Sequence, residues 1–306
     1  MPGEVEVEVP ATSANLGPGF DSLGLALSLV DRVSARFTDD GRVRVTVTGE
    51  GAGAVPGDET NLVARVVRTG LATFDESGEL ARRGLELRCA NAIPHSRGLG
   101  SSAAAIVAGL TLAAQLAGVS ESISAAERVA LATRLEGHPD NVAPGVLGGA
   151  TIAWMQHGEL GEVGRATRIV VDPRIVPVLA IPTQEASTRR ARGALPPAVP
   201  HADAVFNVAR AALLVHALGS DPQLLLEATD DRLHQQHRRA VYPTSLGLVR
   251  ALRERGIPAA ISGAGPSVIA FAVGDAAGIA AVIAGLAGAE YRVEVLAVPE
   301  SGVRVL

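Results

Sequence analysis

Alternation with period two opens the chain: Val5, Val7 and Val9 are apolar, and Glu4, Glu6 and Glu8 between them are charged. That rhythm sends successive side chains to opposite faces, so it predicts a half-buried strand over residues 5–9. It recurs over 42–47 and in GLELRCA from Gly84, which predicts two more strands. Helical spacing takes over at 61–74, 101–116 and 124–135. The last of these starts with Ser124 and has Glu127 three residues on, the reciprocal arrangement that closes a helix N-terminus. The longest apolar stretch, 103–116, carries Thr111 and Gln115 and is too short to cross a bilayer, so it reads as a buried helix.

Beyond Thr151 the pattern predicts strands at 169–171 and 176–181, an Arg- and Pro-rich stretch over 187–200, and helices near 203–218 and 221–227. Asp221 followed by Pro222 is a natural helix start, because the carboxylate caps and proline needs no donor there. Strand-like runs return at Ala259, Ser267 and Tyr291, with an Ala/Gly helix over 276–286. Strands and helices intermingle throughout, which predicts the α+β class. A chain of 306 residues is long enough for two domains, expected here as 1–155 and 156–306 with the division near Met155.

Composition narrows the chemistry. The net charge of -5 is mild, so nothing in bulk points to a nucleic-acid or acidic-membrane partner. Every basic residue other than histidine is an arginine. The absence of lysine excludes a Schiff-base lysine, a lysine general base and a Walker-type phosphate lysine. A single cysteine, Cys89, closes no internal disulfide and makes no zinc site alone, and the segment MPGEVEVEV has neither a basic patch nor an apolar signal core. A reducing, cytoplasmic setting is the expectation.

The strongest local signal is PHSRGLGSSAA, residues 94–104, where a strand ends, a glycine-bearing loop turns and an apolar helix begins. Gly98 and Gly100 let backbone approach a ligand, and the free N–H groups and dipole of the helix start favour phosphate. Such a site holds an anion without lysine. The plain alternative is a tight turn into a buried helix, but Ser101 and Ser102 add hydroxyls that a packing turn does not need. Two further glycine-rich segments, SANLGPGFDSLG (13–24) and SGAGPS (262–267), read singly as turns.

Together the three segments resemble the signature motifs of the GHMP kinase superfamily, and the resemblance spans essentially the whole chain. TSANLGPGFDSLGLAL, EGHPDNVAPGVLGG (136–149), STRRARGALP (187–196) and DRLHQQHRRAVYP (231–243) are similar to its homoserine-kinase branch. The resemblance implies an N-terminal domain like the second domain of ribosomal protein S5, a ferredoxin-like C-terminal domain, and an active site between them. It implies ATP held by Pro94, His95, Ser96, Arg97, Gly98, Leu99, Gly100, Ser101, Ser102, Ala103 and Ala104, with Gly263 and Gly265 close by. It implies Mg2+ on Ser102 and Glu136. Arg134 stands where some relatives have an acid, and the other reading of Glu136 is an exposed helix-end carboxylate.

For L-homoserine as substrate, the match assigns the carboxylate to Arg192 and Arg238, since a guanidinium pairs with it bidentately. Asp21 is assigned to the ammonium or to orienting the acceptor, with Asn15 and Thr188 as neutral partners and His138 as a further contact. Asp140, Asn141 and Asp21 are the candidate catalytic residues, although phosphoryl transfer depends more on positioning and charge neutralisation than on a strong base. The product would be O-phosphohomoserine, the precursor of threonine. Relatives are often dimers, so a homodimer stays open. Two rivals remain: a kinase of the same superfamily acting on a mevalonate-like alcohol, and a silent nucleotide-binding sensor.

Overall fold

The computed structural model describes residues 3–158 and 161–306. Strand β1 (Val5–Asn15) pairs antiparallel with β2 (Gly19–Thr38), from Val5 opposite Ala35 to Asn15 opposite Gly19. The segment 13–24 is thus the tip of a long hairpin, reaching further than the short strand expected from Val5, Val7 and Val9. At 20 residues β2 is long enough to serve two partners on its other side. Its second half pairs with β4 (Gly84–Asn91), which lies parallel to β3 (Val43–Gly49), and Leu23–Leu25 pair with β5 (Ala150–Gly158). A hairpin then joins β5 to β6 (Gly161–Ile169), an edge neither of whose strands has a clean alternation in sequence.

Helix α1 (Leu62–Phe74) crosses between β3 and β4, capped by Asn61, whose side chain accepts from the Val63 N–H. It packs on α2 (Ser101–Leu116), which is buried along nearly its whole length against β1, as the apolar run predicted. Helix α3 (Ala125–Glu136) has the expected cap, Ser124 and Glu127 each bonding the other's backbone, and ends at Gly137. The short α4 (Val142–Leu147) follows directly.

The second sheet is antiparallel, in the order β10 (Tyr291–Val295), β7 (Ile175–Pro182), β9 (Val268–Val273), β8 (Ala259–Ile261). Helices α8 (Pro243–Arg253) and α9 (Ala276–Ala287) cover it, and Tyr242, Leu246, Leu252, Ile261 and Ile283 form its separate core. Between β7 and α8 come α5 (Thr188–Gly193), α6 (His201–Gly219) and α7 (Leu225–Ala228). The helix expected over 221–227 is split, with a 3-10 turn at Pro222–Leu224 ahead of α7. Of the strand expected at 169–171, Ile169 alone lies in a strand, at the end of β6. By length and composition α6 is apolar enough to span a bilayer; here Asn207, Leu214, Ala217 and Leu218 face inward.

A division at 155/156 falls inside the β5–β6 hairpin, both of whose strands belong to the first sheet. The chain end also returns there: β11 (Arg304–Val305) pairs with β1, and Arg304 forms an ion pair with Glu8, itself bonded to Arg32. The two layers meet along the loops before α2, at the tip of the β1–β2 hairpin and around α5. One cavity opens at that junction.

Candidate active site

The loop between β4 and α2 alternates left-handed residues, with Ser96 at φ 57°, Gly98 at 73° and Gly100 at 70°. Two of these positions admit no side chain. A Cβ on Gly98 would lie 2.2 Å from the Ser262 carbonyl, and one on Gly100 would lie 1.9 Å from Thr12 Oγ1. Gly100 is the cap of α2 and offers no side-chain acceptor, so the first-turn N–H groups stay available to an anion. The helix behind them, buried from Ala103 along nearly all its length, fixes where those groups point.

The three glycine segments, far apart in sequence, are bonded to one another. Ser262 Oγ donates to the Gly98 carbonyl (2.7 Å) and reaches Ser13 Oγ (2.9 Å). The Gly263 N–H donates to Ala14 O, the Ser267 N–H to Arg97 O and the Thr12 N–H to Leu99 O. Asn15, buried and at φ 69°, donates from Nδ2 to Gly263 O (2.8 Å) while its Oδ1 accepts from the Asp21 N–H (3.0 Å).

Arg192, on α5, forms a two-pronged ion pair with Asp21 at 2.9 and 3.1 Å. Arg238 has no such partner. It is 2% exposed, and among the described residues no carboxylate lies within ion-pair distance. Its Nε donates to the Ala191 carbonyl (3.1 Å) and its Nη1 to His234 Nδ1 (3.0 Å). His234 in turn gives its Nε2–H to Gly17 O (2.7 Å), and burial pushes its pKa down, which keeps it a neutral acceptor. The result is a buried guanidinium whose charge waits for an anion from the cavity.

At the end of α3, His138 Nδ1–H donates to Asp140 Oδ1 at 2.6 Å, and the bond to that carboxylate raises the imidazole pKa. Asp140 is 2% exposed and also accepts the Asn141 N–H (3.0 Å). Asn141 Oδ1 accepts from Thr12 Oγ1 (2.9 Å), so a hydrogen bond to β1 holds its amide. Ser102 Oγ donates to Glu136 Oε2 at 2.8 Å, and burial lifts the Glu136 carboxyl above the usual range. A hydroxyl and a carboxylate side by side, the latter destabilised as an anion, are an oxygen donor set that would suit Mg2+. Arg134 is exposed and does not line the cavity that Ser102 and Glu136 line.

These groups share one cavity of about 470 Å3. Its polar end is lined by Asn15, Asp21, Glu136, His138, Asp140, Asn141, Arg192 and Arg238, and its floor by Gly98–Ser102 and Gly263. Pro94, His95, Ser96 and Ala104 line it too. Arg97, Ala103 and Gly265 do not. Ala103 is in the core, and Gly265 packs under Tyr242. Arg97 turns to the second layer and bonds Pro182 O, Thr183 O and Glu185, while the Ala186 N–H donates to Ser96 O. The loop before α2 is thereby tied to the segment that carries Arg192. Thr188 opens α5, and its side chain lies outside the described residues.

The far end of the cavity went unread in the sequence. It is walled by Val33, Val47, Leu62 and Cys89, with Asp31, Asn61 and Asn91 among them. Asp31 is 6% exposed; its Oδ1 accepts the N–H groups of Ala92 (2.7 Å) and Ile93 (2.9 Å), and burial raises its pKa. The Cys89 thiol is pushed up to about 12 by burial, so it is an inert wall. A carboxylate inside the apolar run LALSLVDRV was the one available hint of this end.

Residues 61–149 match the family description "GHMP kinases N terminal domain", and 209–286 match "GHMP kinases C terminal". The chain is 50% identical over 303 residues to a homoserine kinase of Streptomyces coelicolor, covering 99% of this chain and 94% of that protein. It is 50% identical over 264 residues to a homoserine kinase of Mycobacterium tuberculosis, covering 86% and 82%. Among solved structures, the homoserine kinase of Cytophaga hutchinsonii superposes with a TM-score of 0.86 at 28% identity, covering 100% of this chain and 98% of that one. A mevalonate diphosphate decarboxylase of Staphylococcus aureus shares the fold at 14% identity, with a TM-score of 0.69. The open helix head, the three interlocked glycine segments and these matches lead to one assignment: the chain belongs to the GHMP kinase family, within its homoserine kinase group.

Proposed function

We propose that this protein transfers the γ-phosphoryl group of ATP to the side-chain hydroxyl of L-homoserine, giving ADP and O-phosphohomoserine. The observation that carries the reading is the charge layout of the polar end. Asp21 is a carboxylate and Arg192 a guanidinium, paired with each other and opening onto the cavity beside the unpaired Arg238. A zwitterion fits that layout: its ammonium goes to Asp21 and its carboxylate to the two arginines. A mevalonate-type acid has nothing for Asp21. The silent-sensor reading leaned on Arg134, which lies outside the cavity, while Ser102 and Glu136 remain paired.

The triphosphate lies over Gly98–Ser102, where backbone N–H groups and the α2 dipole supply the positive field that lysine gives elsewhere. Ser102 and Glu136 would hold Mg2+, which supplies neutralisation of phosphate charge. The acceptor hydroxyl oxygen bonds to Pγ as the Pγ–O bond to ADP breaks, and the hydroxyl proton passes late to an oxygen of the transferred phosphoryl group and from there to water, so no strong base is needed. Asn141 and His138, both fixed by Asp140, flank the acceptor and orient it. The base sits between Val33, Val47, Leu62 and Cys89. A cytoplasmic setting goes with the single buried, unpaired cysteine.

Purified protein with MgATP, offered homoserine, mevalonate, galactose and shikimate in turn and followed by ADP release, tests the proposal. Homoserine is expected to give the highest kcat/KM. A higher value on any other acceptor overturns the substrate assignment.

A further inference from the structure

The apolar end of the cavity contains one buried polar group whose bonding is half complete. Asp31 stands on β2 with Oδ1 spent on the Ala92 and Ile93 N–H groups, at the root of the phosphate loop. Its Oδ2 has no hydrogen-bond partner among the described residues, although the residue is 6% exposed and lines the cavity. The Oδ2 atom opens onto the cavity, so whatever fills the space before it meets an acceptor that no protein donor occupies. The neighbouring amides each spend part of their capacity on backbone and keep the rest for a ligand, but neither brings a carboxylate. Asn61 accepts from the Val63 N–H and donates to Pro56 O, and Asn91 donates to Glu50 O.

A purine nucleotide with its phosphates at the head of α2 puts its base between the apolar walls, where Asp31 is the buried acceptor. Adenine presents a 6-amino donor there; hypoxanthine and guanine present a 6-oxo acceptor. We propose that Asp31 is the residue that selects adenine over 6-oxopurines, its Oδ2 accepting a hydrogen bond from the exocyclic amine. This inference rests on the ATP-dependent reading above. Discrimination by a buried hydrogen-bonding group is steep because the wrong base leaves both partners unpaired, here with two acceptors facing each other. Burial also lifts the Asp31 carboxyl above its usual range, which makes a donor in front of it more welcome.

Asp31→Asn separates the two jobs of this side chain. The amide oxygen can still accept from Ala92 and Ile93, while the amide nitrogen turns the cavity face from acceptor to donor. The readout is calorimetric affinity for MgATP and MgITP, with homoserine turnover measured in parallel. The wild type is expected to bind ATP at least about 10-fold more tightly than ITP, and Asp31→Asn to shrink or invert that ratio by at least about 10-fold. In the variant, the loss with ATP should fall on KM more than on kcat, because the group acts on the base and not on the reacting phosphorus. An unchanged ATP/ITP ratio in a variant that melts normally overturns the proposal.

If the variant does not fold, the wild type decides alone. Purine riboside triphosphate, which lacks the 6-amino group, should bind at least about 10-fold more weakly than ATP, and equal affinity overturns the proposal. Tight, ATP-selective binding without homoserine phosphorylation would fail the functional reading and leave the base-selecting role standing. Failure to bind ATP at all would end both.

Discussion

Replacing Arg238 with methionine separates what this residue does for folding from what it does for the substrate. The side chain is the largest of the fully buried ones and carries a charge with no carboxylate within 4.0 Å among the described residues. Swapping a buried charge for an apolar side chain of similar size is commonly neutral or stabilising by about 1–4 kcal/mol. Against that, the Ala191 carbonyl and His234 Nδ1 lose their donors, at about 1–3 kcal/mol each where nothing replaces them. The two effects oppose each other, so the stability change should stay within about 2 kcal/mol. Binding has no such offset. Losing one side of a buried charge-assisted pair with the homoserine carboxylate should cost about 2–4 kcal/mol, or about 30- to 1,000-fold in kcat/KM for homoserine.

The assay is a cycle with 3-aminopropan-1-ol, which is homoserine without its carboxylate. The wild type should discriminate strongly between the two acceptors, and Arg238→Met should erase about the same factor, since the analogue offers the guanidinium nothing. The KM for ATP should barely move. Equal losses on both acceptors, or a rise in the ATP KM to match, would show that Arg238 is a structural residue and that the carboxylate is gripped elsewhere.

Gly98→Ala should destabilise the fold by about 2 kcal/mol or more, because φ is 73° and the new methyl meets the Ser262 carbonyl at 2.2 Å. Thermal melting should fall by at least about 4 °C, and an unchanged melting point would mean the three glycine segments are not packed as described. Glu136→Gln keeps a partner for Ser102 and removes a buried carboxylate, so it should melt no lower than the wild type. It should also need about 10-fold more Mg2+ for half-maximal activity; an unchanged Mg2+ requirement removes Glu136 from the metal site. His138 has its pKa raised by Asp140, so the folded state holds the proton more tightly than the unfolded one. That contribution is complete below the unfolded value near pH 6.5 and is lost as pH rises through the folded one. Urea midpoints between pH 5.5 and 9 should therefore decline in the wild type and flatten in His138→Gln; parallel curves would refute the pairing.

Helices α1, α2 and α3 were legible because each has a local cause: helical spacing over 61–74, an unbroken apolar run, and the Ser124–Glu127 box, while the cap at Asn61 showed only in the structure. Strand β2 was not. Leu23–Leu27 are buried without alternation, so the run carries no period-two signal, and the Asp21 and Ser22 beside it read as a turn. The site divides in the same way. The loop before α2 could be read from Gly98, Gly100 and the serine pair, since glycine, helix start and hydroxyls are adjacent in the chain. The Asp21–Arg192 pair joins positions 171 residues apart, and the isolation of Arg238 depends on what is not near it. Asp31 acquires its role from the loop that leaves β4, 61 residues further on at Ala92. Arg97, by sequence a phosphate ligand, is drawn off by Pro182 O and Thr183 O.

Proton-coupled phosphorus NMR of the protein incubated with MgATP and homoserine tests the central claim, a triphosphate at the head of α2 facing a pocket for a zwitterionic alcohol. A new phosphomonoester signal split into a triplet by the two protons of the side-chain CH2, growing as the γ-phosphate signal of ATP declines, is the predicted result. Inorganic phosphate alone, or a new signal without that splitting, would contradict it.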